Sequence, residues 1–168
     1  YVLHSPEFLT EKTAREDAAH PNRNIIGIPR DTKEYRDQAR AILDVLPRAP
    51  YEAIISSQTA EFTKYAGNTW FYVKVVYMNL LYDLAEKHSL KWQEVMDGIA
   101  ADPRIGPTHL NPVHQGGRGA GGHCFIKDFE ALRQMYKEVV PDPLGGAILD
   151  ALVQKNNQLL VSTGKSID

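Results

Sequence analysis

The chain has 168 residues, 43% of them hydrophobic and 24% charged, with a formal net charge of -2. That length can bury one core, or one and a fraction, in an ordinary globular protein, and the near-neutral balance excludes an electrostatic case for nucleic acid or an anionic membrane as partner. A single cysteine, Cys124, excludes an internal disulfide and fits a reducing compartment, so a cytoplasmic location is expected.

In chain order, residues 1–8 (YVLHSPEF) have neither a basic n-region nor an apolar h-region and are no signal peptide. Val2 leading into Ser5 and Pro6 predicts a strand that stops at a loop, so the chain is expected to begin inside a fold whose earlier strands lie upstream. The β-branched run 24–28, the helical spacing of Ala39, Ile42, Leu43 and Leu46 within 34–46, and the run 51–55 predict strand, helix, strand. So few strands cannot stand alone with both faces covered, and residues 1–57 are expected to be the C-terminal part of a larger α/β domain.

From residue 59 to 87 or 88 the pattern is helical. Between Trp70 and Leu84 only Lys74, Asn79 and Asp83 are polar. A helix apolar nearly all round is buried on several sides, centrally in a bundle or partly against a second subunit. A membrane span is excluded, because the uninterrupted apolar run is too short and charges interrupt it. A short helix over 91–101, a Pro- and His-rich loop over 104–115, a glycine stretch, a helix over 125–139 and a last helix over 144–161 complete an all-helical second domain, residues 58–168.

The glycine stretch, GGRGAGGHCFIKD over 116–128, holds five of the chain's twelve glycines and its only cysteine. A backbone without side chains closes around a bound group, and a cysteine just ahead of a helix meets unpaired amides that favour a reactive thiolate. Inert burial is the commoner fate of a lone cysteine, and the mobile flanking backbone argues against it here. Asp128, four residues on, projects from the same side of the helix, to hold a catalytic water or Lys64, or merely to favour the helix N-terminus. Lys64 and Asn68 are also four apart, on the opening turns of the long helix, where ammonium and amide together suit an oxyanion; a solvated surface is the plainer alternative. Gly67 between them leaves room for a close approach. Gly117, Gly119 and Gly122 satisfy G-x-G-x-x-G formally, but a Pro- and His-rich loop enters and helix occupies the next twenty residues, so no dinucleotide site is read there. His88, His109, His114 and His123 fit no zinc spacing with Cys124, so no metal ligand is assigned.

The residues GGHCFIKD (121–128) resemble the active-site signature of the UDP-glucose/GDP-mannose dehydrogenase family, with Cys124 in the nucleophile's place. SPEFLTEKTA (5–14) resembles the family's SPEFLxEG loop, with Lys12 where glycine is usual; EFTKYAGN (61–68) resembles its ExxKxxxN helix start, and DPRIG (102–106) a fourth motif. The resemblance implies the end of a Rossmann-like sheet followed by an all-α domain like the 6-phosphogluconate dehydrogenase C-terminal-like helical domain. It implies NAD-dependent oxidation of C6 of a UDP- or GDP-hexose to a carboxylate, through a Cys124 thiohemiacetal and thioester. In that scheme Lys64, Asn68 and Asp128 serve the reacting carbon and Glu7 activates the hydrolytic water. Phe8, Leu9, Glu11, Gly119, Gly121 and Gly122 meet the nucleotide sugar, Arg104 reaches its diphosphate across a homodimer built on helix 59–88, and Lys127 faces the cofactor. The cofactor fingerprint itself is expected upstream of Tyr1, which makes the chain a fragment inactive alone. The alternative is a non-catalytic helical dimerisation module, or an inactive relative.

Overall fold

A computed structural model describes residues 1–167, with the side chain of Glu11 outside the described set. The chain forms two compact units, residues 1–66 and 67–168. In the first, β1 (Arg23–Ile28) and β2 (Tyr51–Ser56) pair in parallel, with Ile25 opposite Ala53 and Ile28 opposite Ser56, joined through α2 (Lys33–Val45). Thr32 accepts the Tyr35 amide and caps α2. The apolar stripe of α2 then sets Ala39 and Leu43 on Ile26 and Ile28, with Ile42, Leu46 and Ile54 around them. This is the expected strand, helix, strand unit.

The opening residues differ from expectation. The predicted strand at Val2 reduces to one antiparallel bridge between His4 and Gly27, because Ser5 and Pro6 turn the chain away and Pro6 has no amide to extend the ladder. A 3-10 turn, Glu11–Thr13, leads into α1 (Ala14–Ala19). Asp17 of α1 accepts the Thr10 amide at 2.7 Å and the Thr13 hydroxyl at 2.9 Å, which closes the SPEF loop and holds the Asp17 carboxyl below the ordinary range.

The helix α3 (Ser57–Lys87) begins directly after β2, and its first turns belong to the first unit. A Cβ at Gly27 would lie 2.8 Å from Ser57 Cα and 3.0 Å from Ala60 Cβ, so only glycine allows β1 to approach the start of that helix so closely.

The second unit holds the rest of α3, then α4 (Trp92–Ala100), α5 (His123–Val139) and α6 (Pro143–Ser162). Tyr72, Val76, Ala120 and Phe129 form its buried centre, ringed by Val73, Phe125, Leu149, Leu152 and Val153. Tyr72 and Phe129 stack at 4.0 Å. Two of the three polar residues that interrupt the apolar run of α3, Lys74 and Asn79, are buried and bonded. Lys74 donates to the carbonyls of Ile105 and Gly106 at 2.9 and 3.0 Å, and Asn79 accepts from Arg118 Nε at 2.7 Å. Trp70, Tyr77, Leu80 and Leu84 instead lie exposed along one stripe of the helix. Among the described residues no helix is long and apolar enough to cross a membrane.

Within the expected loop 104–115 and just after it, a small antiparallel hairpin forms from β3 (Val113–His114) and β4 (Gly117–Arg118). Gln115 and Gly116 turn it, both with positive φ. Two residues per strand are too few to register as alternation in the sequence.

Candidate active site

Helix α5 starts two residues earlier than its apolar pattern, so Cys124 is not ahead of the helix but inside its first turn. Gly122, at φ 84°, stands at the N-cap position and contributes no side-chain cap. The leading amides of α5 are therefore left open beside an exposed thiol. Open space surrounds the Cβ position of Gly122, whereas a Cβ at Gly119, also at φ 84°, would lie 3.1 Å from Asn156 Oδ1 and Leu160 Cγ. A Cβ at Gly121 would be in ordinary contact with Leu160 at 3.5 Å and Lys165 at 3.9 Å. Of the three glycines assigned to substrate, Gly119 is thus held by packing from behind, and Gly122 faces room.

One turn after Cys124, Asp128 is buried, and its Oδ2 accepts a hydrogen bond from Asn68 Nδ2 at 2.6 Å. This bond joins the polar opening of α3 to the first turns of α5 across sixty residues of sequence. The carboxylate thus holds the Asn68 amide, a partner that the spacing of the sequence did not suggest. Lys127 lies 3.5 Å from the other Asp128 oxygen but is largely exposed, so this ion pair adds little. Asn68 keeps its second amide hydrogen and its carbonyl oxygen for another group. A Cβ on Gly67 would meet nothing within 4 Å, which leaves the backbone beside Asn68 open.

Lys64, one turn before Asn68 on α3, is half-buried and belongs to the first unit, as do Glu7, Phe8, Leu9 and Glu11. Glu7 and Leu9 are exposed, and the Phe8 ring receives the Arg23 guanidinium at 3.9 Å. Glu11 opens the 3-10 turn, and its side chain lies outside the described set. Arg104, assigned to a diphosphate, folds back on Asp102: Nη2 lies 2.6 Å and Nε 2.9 Å from its carboxylate oxygens, on the surface. Arg104 is held here by the nearest carboxylate, two residues away, which keeps Asp102 below the ordinary carboxylate range.

Three polar residues around the site carried no role in the sequence reading. Lys74 fastens the segment just after Arg104 to α3, and its burial pushes the ammonium pKa down. His109, at φ 62°, stacks on Phe71 at 4.3 Å and tilts against Phe125, the neighbour of Cys124. Burial first, then Lys74 and His114, push the His109 pKa down. Asn156, wholly buried on α6, bonds both backbone groups of Ala120. The signal for Lys74 was legible: a charge inside an apolar helical run is either partnered or absent. Asn156 gave no such signal, because it stands in the polar stretch from Gln154 to Gln158.

Residues 58–158 match the family model described as UDP-glucose/GDP-mannose dehydrogenase family, central domain. The chain is 35% identical over 158 residues to a UDP-glucose 6-dehydrogenase of Rickettsia bellii, covering 94% of this chain and 34% of that protein. It is 38% identical over 136 residues to one of Rhizobium meliloti, covering 78% and 29%. Among solved structures, a UDP-glucose dehydrogenase from Pyrobaculum islandicum superposes with TM-score 0.76 at 28% identity, over 95% of this chain and 36% of the other. The chain thus spans about a third of the length of the relatives it matches.

Proposed function

Because the chain belongs to the UDP-glucose/GDP-mannose dehydrogenase family, we propose that it carries the covalent chemistry of a nucleotide-sugar 6-dehydrogenase that oxidises C6 of a UDP- or GDP-hexose to a carboxylate. The observation that carries this reading is the Asn68–Asp128 hydrogen bond, one helical turn from Cys124. An amide clamped by a buried carboxylate on one side has a fixed direction for its remaining donor, and a preorganised donor is what an oxyanion needs.

NAD is the hydride acceptor that the family implies, and the described residues do not fit a dinucleotide cradle. β1 runs into Pro29 rather than a glycine turn, and the glycines of 117–122 follow a two-residue antiparallel strand and are backed by Asn156 and Leu160. Only Lys127 is assigned toward the cofactor, and the 168 residues alone are expected to turn over negligibly. The steps proposed for this chain are those of its own side chains.

Cys124 Sγ adds to C6 of the aldehyde. The carbonyl π pair moves to oxygen, which Asn68 and Lys64 stabilise, and the thiol proton ends on that oxygen as a thiohemiacetal. After the second two-electron oxidation has made this carbon a thioester, Glu7 takes a proton from water as the water oxygen attacks. The C–S bond then breaks, the thiol is restored and the carboxylate leaves. Phe8, Leu9, Glu11, Gly119, Gly121 and Gly122 are assigned to the sugar and nucleotide. Arg104 serves the diphosphate once it exchanges Asp102 for that anion. The domain limits proposed are 1–57 and 58–168, the compartment is the cytoplasm, and the exposed stripe Trp70, Tyr77, Leu80, Leu84 of α3 is the face of a homodimer.

The test is the rate at which iodoacetamide alkylates Cys124, the only thiol, at pH 7.5. The proposal expects a rate at least about tenfold above that of glutathione. A rate at or below the small thiol leaves a helical scaffold with a vestigial site and overturns the catalytic reading.

A further inference from the structure

The glycine loop before Cys124 has little side-chain bulk with which to fix itself, yet its middle residue, Ala120, is buried. While Arg118 holds the loop to Asn79 of α3, the anchor of Ala120 comes from α6. Asn156 Oδ1 accepts the Ala120 amide at 2.7 Å and Asn156 Nδ2 donates to the Ala120 carbonyl at 2.9 Å, so one side chain satisfies both polar groups of one backbone residue, as a strand partner does. Gly119 presses on the same side chain, with Asn156 Oδ1 3.1 Å from where a Cβ would stand. Ala120 in turn packs in the same buried cluster as Tyr72 and Phe129. Tyr72 is one turn beyond Asn68 on α3 and stacks on Phe129, the neighbour of Asp128.

Resting on the reading of Cys124 as nucleophile, we propose that Asn156 is a positioning residue. It ties the loop that enters α5 to α6, in the buried cluster that Ala120 shares with Tyr72 of α3, and so sets where Cys124 stands relative to the Asn68–Asp128 pair. A wholly buried amide with every polar atom engaged is a rigid joint, whereas an apolar residue of equal volume would fill the space and leave the Ala120 amide and carbonyl without partners.

The test uses the whole chain with Asn156→Leu, which keeps the volume, and Asn156→Ala, which removes both bonds to Ala120 without adding apolar bulk. Leu149→Ala, a packing change in the same core, is the control. Two quantities are read: hydrogen exchange at the Ala120 amide and the iodoacetamide rate of Cys124. For Asn156→Leu the proposal expects Ala120 exchange to quicken at least about tenfold, and alkylation to fall about two- to fivefold as the first turn of α5 loses its fixed start. Asn156→Ala should move both in the same direction, and Leu149→Ala should leave the alkylation rate within about twofold even where it lowers the melting temperature equally.

If Asn156→Leu leaves both readouts unchanged, or if Leu149→Ala lowers alkylation as much at equal stability loss, the proposal is wrong. Should Asn156→Leu not fold, Asn156→Ala decides: no change in either readout overturns the idea. A wild-type thiol no faster than glutathione overturns the catalytic reading instead, and the exchange at Ala120 still reports the joint.

Discussion

Replacing Asn68 by alanine removes the shortest bond between α3 and α5 and leaves the Asp128 carboxylate buried with only the distant Lys127. A hydrogen bond to a charged, buried acceptor contributes about 1.5–3 kcal/mol. Alanine returns about 0.5–0.7 kcal/mol of helix propensity at the same position. The net loss expected is about 1–2.5 kcal/mol, which for a unit of roughly a hundred residues lowers the melting temperature by about 5–15 °C. Trp70 and Trp92 are the only tryptophans and both lie in the second unit, so urea titration by intrinsic fluorescence reports that unit alone. The midpoint should fall with an unchanged denaturant slope. A double-mutant cycle with Asp128→Ala isolates the pair, and a coupling of at least about 1 kcal/mol is expected. A coupling below about 0.3 kcal/mol would refute the reasoning, because Asn68 and Asp128 would then not be clamping each other.

His109 gives the pH dependence. Its folded pKa lies below the unfolded value of about 6.5, so the folded state prefers neutral imidazole. The stability it supports is present above that unfolded value and declines as the pH falls from there toward the folded pKa. His109→Asn, which tolerates the positive φ, should lose stability at pH 8 through the missing ring stack and show a shallower decline between pH 7 and 5 than the parent; an equal slope would exclude His109 as the source. On the exposed stripe of α3, Leu80→Glu combined with Leu84→Glu should convert a dimer into a monomer in sedimentation at micromolar concentration without loss of helical signal; an untouched dimer would move the interface elsewhere.

What was legible in the sequence follows from local physics. The strand, helix, strand order of the first unit rests on β-branched runs around a helical stripe, and α3 announces itself by length and apolar density. The start of α5 was not legible, because Gly122 caps it without a side chain and neither His123 nor Cys124 favours helix strongly enough to mark a beginning. The hairpin at 113–118 was hidden by its two-residue strands. Partners distant in sequence were hidden for a different reason. Spacing places Asn68 and Asp128 on helix faces, but only the packing of Tyr72 on Phe129 brings those faces together, and no local pattern encodes that contact. At Arg104 residue type left two partners open: a guanidinium suits phosphate and carboxylate alike, and Asp102 is the anion within reach here.

The meeting of α3 with α5 is made by two unlike contacts set side by side, the amide on the carboxylate and ring on ring. Slipping one helix past the other by a single turn, about 5.4 Å, would put the aromatic face over the carboxylate and strand the amide against hydrocarbon. Only one alignment matches both halves of the pattern, so it acts as a two-tooth key that rejects misaligned dockings while the chain is still assembling.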